Sequence, residues 1–334
     1  VAKTTDSIER ADESITYLPY AYINYVYDPE NEGVGSWGNT LDTAEITWEN
    51  FVTLKDGNTT LKVGGEGGVK VTADKDKLNG EVTFTFTYGE QSVDLDYNVY
   101  YGIANETQFY KMADDLTANY ILTQDMSFTL VVPQMDTFTG TLNGNFKKIS
   151  NVRVYTEERG HWFSGIFEVN KGTIKNLVIT NGMAYGIYGV GVIAGQNAGK
   201  IVNCYVDVTT YSHYNGSDEW VEEAGFVTGE NYVGGIAGTN VAGGSIKGCV
   251  FIGTVNAVIT DGTPYAGGIS GSSEAGWIGF NIYVSDAEGA LLFGRAGEAT
   301  LRDNAVYTTT QAANITADNY MDTINALMNA KEDA

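Results

Sequence analysis

The chain has 334 residues and a formal net charge of −23, from 42 acidic against 19 basic residues. That balance excludes nucleic acid and an anionic membrane surface, because both need clustered Lys and Arg. Two Cys are too few for a disulfide scaffold, and no apolar run is long enough to span a bilayer. No basic-then-apolar leader precedes Val1, so a processed chain whose export signal has been removed is expected.

Residues 14–100 read as strands. Val82, Phe84 and Phe86 alternate with Thr83, Thr85 and Thr87. After Gly89-Glu90 a second alternating run follows, Val93, Leu95, Tyr97 and Val99, which is a hairpin pattern. Ile46, Trp48 and Phe51-Val52 supply further strands, and Asp56-Gly57 a turn. Short strands with turn punctuation predict a β-sandwich over residues 1–103. It loosely resembles bacterial immunoglobulin-like modules, without the Cys pair of antibody domains. Tyr17, Tyr20, Tyr22, Tyr25 and Tyr27 cluster here, as strand packing and edge cover or as a docking face.

A second domain, 104–334, begins with Phe109, Met112, Ala113 and Leu116 at helical spacing. Asn105 is placed to cap that helix, with Gln108 three residues on. Then comes self-similarity. Asn151-Val152-Arg153-Val154 returns as Asn176-Leu177-Val178-Ile179, Asn203-Cys204-Tyr205-Val206, Asn281-Ile282-Tyr283-Val284 and Asn304-Ala305-Val306-Tyr307. Gly248-Cys249-Val250-Phe251 carries Gly in the Asn place. Ile149, Ile174, Ile201, Ile246, Ile278 and Leu301 stand just upstream. A second phrase, Ile193-Ala194-Gly195, recurs as Ile236-Ala237-Gly238, Ile269-Ser270-Gly271 and Leu292-Phe293-Gly294. The pattern predicts an all-β fold, a right-handed parallel β-helix whose coils of two or three short strands stack through inward Ile, Val and Leu. Asn at corners adopts the left-handed conformation and bonds the Asn of the next coil. Ile193, Ile236 and Ile269 are expected in one stack. An open solenoid exposes strand edges, so caps are expected at both ends. The stripe of Met321, Ile324, Leu327 and Met328 predicts a C-terminal helix, over the last coil or along the side of the stack.

Gly235-Ile236-Ala237-Gly238-Thr239-Asn240 and Ile201-Val202-Asn203-Cys204 resemble the GLUG motif of bacterial surface and adhesin-like proteins. Tyr120-Ile121-Leu122-Thr123-Gln124-Asp125 and Phe138-Thr139-Gly140-Thr141-Leu142-Asn143-Gly144-Asn145 are similar to that family's opening segment. The resemblance covers roughly residues 105–310, with departures at Asn143, Phe146, Glu168 and Gly248. It implies a parallel β-helix on the outside of a bacterium and carries no defined chemistry.

Several motifs are weak. Gly189-x-Gly191-x-x-Ala194 fits a loose dinucleotide pattern without the βαβ unit that pattern requires. Gly195 to Gly199-Lys200 is a phosphate loop one residue short. His161 and His213 are the two His, and no nucleophile elbow accompanies them. No cofactor is expected. Cys204 and Cys249 share one repeat position and read as inward free thiols, with a bridge as the alternative. The segment from about Thr209 to Asn231 is a long insertion, and insertions of that length are often functional. Within it Tyr211, His213, Tyr214, Asp218, Glu219 and Trp220 form the candidate ligand site. Aromatic plates beside carboxylates suit a glycan or protein, and the acids, with Glu222 and Glu223, suit a cation. The bland alternative is a solvated loop with Trp220 packed back on the wall.

These features predict a non-enzymatic extracellular protein of the bacterial cell surface, monomeric and without membrane insertion. It would bind a glycan or a host or extracellular protein through loops on a rigid rod. The rival is a polysaccharide lyase or glycoside hydrolase, which needs clustered carboxylates, whereas Glu168, Asp207, Glu274 and Asp286 are scattered. A structural spacer is the third reading.

Overall fold

The computed structural model describes residues 100–156, 162–214, 220–258 and 264–332, and the strands 20–24, 44–47, 52–56, 59–63, 70–71, 81–88 and 91–99. Contacts divide it into two compact units, Val1–Ile103 with Ala118–Ile121, and Ala104–Thr117 with Leu122–Ala334.

In the first unit the alternating Val/Phe/Thr run forms Glu81–Tyr88, antiparallel to the long strand Gln91–Ile103. Tyr88 pairs with Gln91, as the alternation predicts, and Gly89-Glu90 lie outside the described residues. Val52–Asp56 and Thr59–Val63 pair antiparallel, and Gly57 lies outside the described residues. Tyr20 and Tyr22 lie in Tyr20–Asn24, which pairs antiparallel with Ala44–Thr47 and parallel with Gln91–Ile103. Tyr17, Tyr25, Tyr27 and Trp48 fall outside the described residues.

The second unit is a stack of parallel sheets, consistent with the expected parallel β-helix. Its widest coils carry five short strands rather than two or three. The first face holds Met135–Phe138, Phe167–Asn170, Ala194–Asn197, Ala237–Asn240, Ser270–Ser273 and Phe293–Ala296. Each strand pairs in parallel with the next. The second face runs from Thr141–Asn143 through Thr173–Lys175, Lys200–Val202, Ser245–Lys247 and Trp277–Gly279 to Thr300–Arg302. The third runs from Met126–Ser127 to Ala305–Tyr307. The fourth face, Arg153–Tyr155 to Val255–Ala257, and the fifth, Phe163–Ser164 to Tyr265–Gly267, are four-stranded and stop short of the last two coils. Strands of two or three residues are too short to show an alternation, which is why the sequence hid these two faces.

Vertical columns build the core. Ile193, Ile236 and Ile269 are buried, one above another: Ile193 N–H donates to Ile236 O at 3.1 Å and Ile236 N–H to Ile269 O at 3.2 Å. A second column runs Leu142, Ile174, Ile201, Ile246, Ile278 and Leu301. A Cβ on Gly234 would lie 2.0 Å from the Ala237 carbonyl, so glycine is needed where this coil enters the Ile phrase.

The corner between the second and third faces corrects the repeat alignment. Its left-handed residues are Phe146, Asn176, Asn203, Gly248, Phe280 and Asp303, at φ between 50° and 61°. The Asn phrase therefore holds at 176 and 203, with Gly at 248. Asn151 sits one corner later, paired with Thr180 O, and Asn281 and Asn304 sit one residue too far along. Asn281 occupies the level of Cys249, whose N–H donates to its Oδ1 at 2.8 Å. Asn bonds well both in a left-handed corner and as an inward side chain, so its letter does not tell the two apart.

Inward Asn form the expected ladder at a different corner. Asn170 Nδ2 donates to Asn197 Oδ1, and Asn197 Nδ2 to Asn240 Oδ1, both at 2.7 Å, with all three fully buried. Gly172 and Gly199 N–H satisfy the Asn170 and Asn197 carbonyl oxygens.

Helix α1, Glu106–Tyr110, is capped by Asn105, whose Oδ1 accepts from Gln108 N–H at 2.9 Å. The turn tightens to a 3₁₀ helix at Lys111–Asp114, so Phe109 and Met112 are buried but Ala113 is exposed. Glu106 ties α1 to the segment after Met126–Ser127, one layer before the first full coil, by accepting from Thr129 and Leu130 N–H, each at 2.8 Å. Helix α2, Tyr320–Glu332, buries Met321, Ile324 and Met328. It lies along the flank: Tyr320 packs on Tyr205 and Phe146, and Ile324 and Met328 close over Gly248.

Candidate functional site

The insertion is an antiparallel hairpin leaving the third coil between its third and fourth faces. Asp207 ends the incoming strand by accepting from Thr209 N–H at 2.9 Å and Thr209 Oγ1 at 2.7 Å. Thr210–Tyr214 then pairs with Trp220–Ala224, Tyr211 opposite Glu223 and Tyr214 opposite Trp220. Gly225 closes the base: a Cβ there would lie 2.1 Å from the Val208 carbonyl. Ser212 N–H donates to Asn151 Oδ1 at 2.8 Å, which pins the hairpin back onto the first coil.

Strand alternation divides the expected site. Tyr211 and His213 share one face with Glu223, and Trp220, an odd number of positions from Glu223, takes the other. On the first face Tyr211 Oη donates to Glu223 Oε2 at 2.7 Å, and His213 Nε2 lies 3.2 Å from Glu223 Oε1. The Tyr211 ring stacks on His213 at 5.7 Å and meets Phe226 edge-on at 6.0 Å. The Tyr211 hydroxyl, then His213, hold the Glu223 carboxyl below the usual carboxylate range. Burial, then the same hydrogen bond, raises the Tyr211 phenol. On the second face Trp220 is 52% exposed, so the ring is not sealed against the wall. Asp218, Glu219 and the Tyr214 side chain lie outside the described residues.

Glu223, expected only as one of several acids that could suit a cation, is the carboxylate that meets Tyr211 and His213. Its part depends on cross-strand register, which composition does not supply. The coils also carry exposed aromatic groups that the repeat pattern had masked. Trp162, 65% exposed, meets Tyr188 edge-on at 5.5 Å, Tyr188 meets Tyr232 at 5.2 Å, and Tyr232 stacks on Tyr265 at 5.6 Å. Arg295 extends this line over Tyr265. Tyr232 and Tyr265 each stand four residues before a core Ile, a spacing that could have revealed them.

Other acids serve the turns. Asp286 accepts from Thr309 N–H and Oγ1, which hold its carboxyl low. Lys247 stands 4.3 Å over the Trp277 ring. Among the described residues no group of three or more His, Cys, Asp or Glu is placed to hold a metal, and no helix is long and apolar enough to cross a membrane.

No family model and no solved structure matches the chain. Over 111 residues, 33% of its length, it is 32% identical to halomucin of Haloquadratum walsbyi (strain DSM 16790 / HBSQ001). The chain spans about 1% of the length of that curated relative.

Proposed function

We propose that this chain is a non-enzymatic, extracellular surface protein that binds a glycan or an extracellular protein through the hairpin of its third coil. The observation that carries this reading is the hairpin itself. It adds nothing to the stack, is pinned in place by Asn151, and offers a half-exposed Trp220 on one face and a Tyr211–His213–Glu223 cluster on the other. Long loops on rigid scaffolds commonly carry function, and Trp and Tyr dominate binding hot spots. The partial likeness to halomucin, a protein named as a mucin, favours a cell-surface setting, as does the net charge of −23. The carboxylates of Asp207 and Asp286 are engaged as turn caps on separate coils, which disfavours the paired acids of a polysaccharide-degrading enzyme.

The finer architecture belongs to this reading. The solenoid is right-handed and of the GLUG type, α1 and α2 protect it, and residues 1–103 form an immunoglobulin-like spacer. The chain acts as a monomer on a bacterial surface. A glycan array combined with an extracellular-matrix panel tests the function. Hits that vanish in Trp220→Ala, with the unfolding midpoint unchanged, support it. Hits that survive this substitution, or no hits, remove the hairpin from consideration.

A further inference from the structure

Cys204 and Cys249 are the two cysteines, and both are fully buried. They sit at one position of successive coils: Val202 pairs with Lys247 before them and Tyr205 with Val250 after them. The two thiols repeat each other's geometry. Cys204 Sγ donates to Val202 O at 3.3 Å, and Cys249 Sγ to Lys247 O at 3.4 Å. Each also lies over the preceding coil's Ile carbonyl, at 4.0 Å from Ile174 O and 3.9 Å from Ile201 O. Paired strands stand ~4.8 Å apart, inside the ~4.4–6.8 Å Cα range that a disulfide spans. Both cysteines are free thiols, one directly above the other in the stack.

We propose that Cys204 and Cys249 are a disulfide-forming pair that staples the third coil to the fourth, with helix α2 controlling access to it. Tyr320 is 1% exposed, its hydroxyl donates to Asn203 O at 2.6 Å, and Ile324 and Met328 close over Gly248, the neighbours of the two cysteines. Burial raises the Cys249 thiol, so while α2 is docked the reactive thiolate is scarce. The oxidant is a small-molecule disulfide. One cysteine, as thiolate, attacks it, breaking its S–S bond and releasing one small thiolate. The second cysteine thiolate attacks the mixed disulfide, forming the Cys204–Cys249 bond and releasing the other. The two cysteine protons end on the two released thiols. The closed loop contains the hairpin, so the staple holds the base of that insertion in place.

The test uses the full chain with oxidised glutathione, once in the native state and once during refolding from urea in a glutathione redox buffer. The expected product of refolding is two hydrogens lighter, carries no glutathione, and yields a crosslinked Cys204–Cys249 peptide. Its unfolding midpoint rises by roughly 5–15 °C over the reduced chain. Native Tyr320→Ala is expected to reach the same product at least tenfold faster than the unmodified chain. Cys204→Ala should stop at a glutathione adduct. Refolded protein that keeps free thiols or stable glutathione adducts at both cysteines overturns the pairing. Equal native rates with and without Tyr320 overturn the role of α2.

Discussion

The stacked coils and the hairpin that leaves the third of them place their side chains by different rules. In a coil, a residue's surroundings come from the residues one turn above and below it. Ile236 is buried because Ile193 and Ile269 share its column, and Asn197 is satisfied because Asn170 and Asn240 flank it. In the hairpin, position is set by the opposite strand: Glu223 meets Tyr211 and His213 because the register puts them face to face. The stack uses its side chains for shape, whereas the hairpin has side chains to spare. That is why the binding proposal rests on the hairpin. The aromatic line of Trp162, Tyr188, Tyr232 and Tyr265 qualifies the contrast, because coils too can present rings where they face outward.

The contrast is open to direct attack. Ile236→Ala removes the centre of a core column and should cost ~2–5 kcal/mol in urea unfolding. A cost below ~1 kcal/mol would mean the column does not share its burial between coils. Asn197→Ala leaves the Asn170 amide donor and the Asn240 carbonyl acceptor without their partner inside the core, and should cost ~1–3 kcal/mol. A neutral result would show that the ladder is dispensable. Tyr211→Phe deletes one hydrogen bond on an exposed hairpin and should leave global unfolding unchanged. Its readout is the Glu223 carboxyl, which should titrate closer to the ordinary carboxylate value by NMR.

The smallest effect comes from acid. Because the folded carboxyl of Glu223 is held low, the Tyr211–His213–Glu223 cluster contributes fully above the ordinary carboxylate range. That contribution is lost as pH falls through the folded value. Trp220 fluorescence is expected to report this local loosening at acid pH before any change in far-UV circular dichroism. Simultaneous loss of both signals would mean that the hairpin and the coils unfold as one unit.

The stack was readable in the sequence because its inward Ile recur with Gly at the turns. Register was less readable. Asn281 and Asn304 matched the phrase by letter, yet Phe280 and Asp303 take the left-handed corner. Phe in that conformation runs against its steric preference, so no propensity rule would have chosen it. In the candidate site, Tyr211 and His213 were visible as aromatic groups in a long insertion. The partnership with Glu223, and the separation of Trp220 onto the other face, needed the pairing of the two strands.

Helix α2 gives the molecule a mechanical property. Leaving the last coil, the chain doubles back and anchors on Phe146, Asn203, Tyr205 and Gly248, which belong to earlier turns of the stack. A pull on the end of α2 therefore does not peel the last strand from its neighbour one hydrogen bond at a time. It first loads the side of several coils together, in shear, through Tyr320 and the apolar stripe behind it. The narrow last coils, which lack the fourth and fifth faces, then sit outside the load path until the helix itself is torn away.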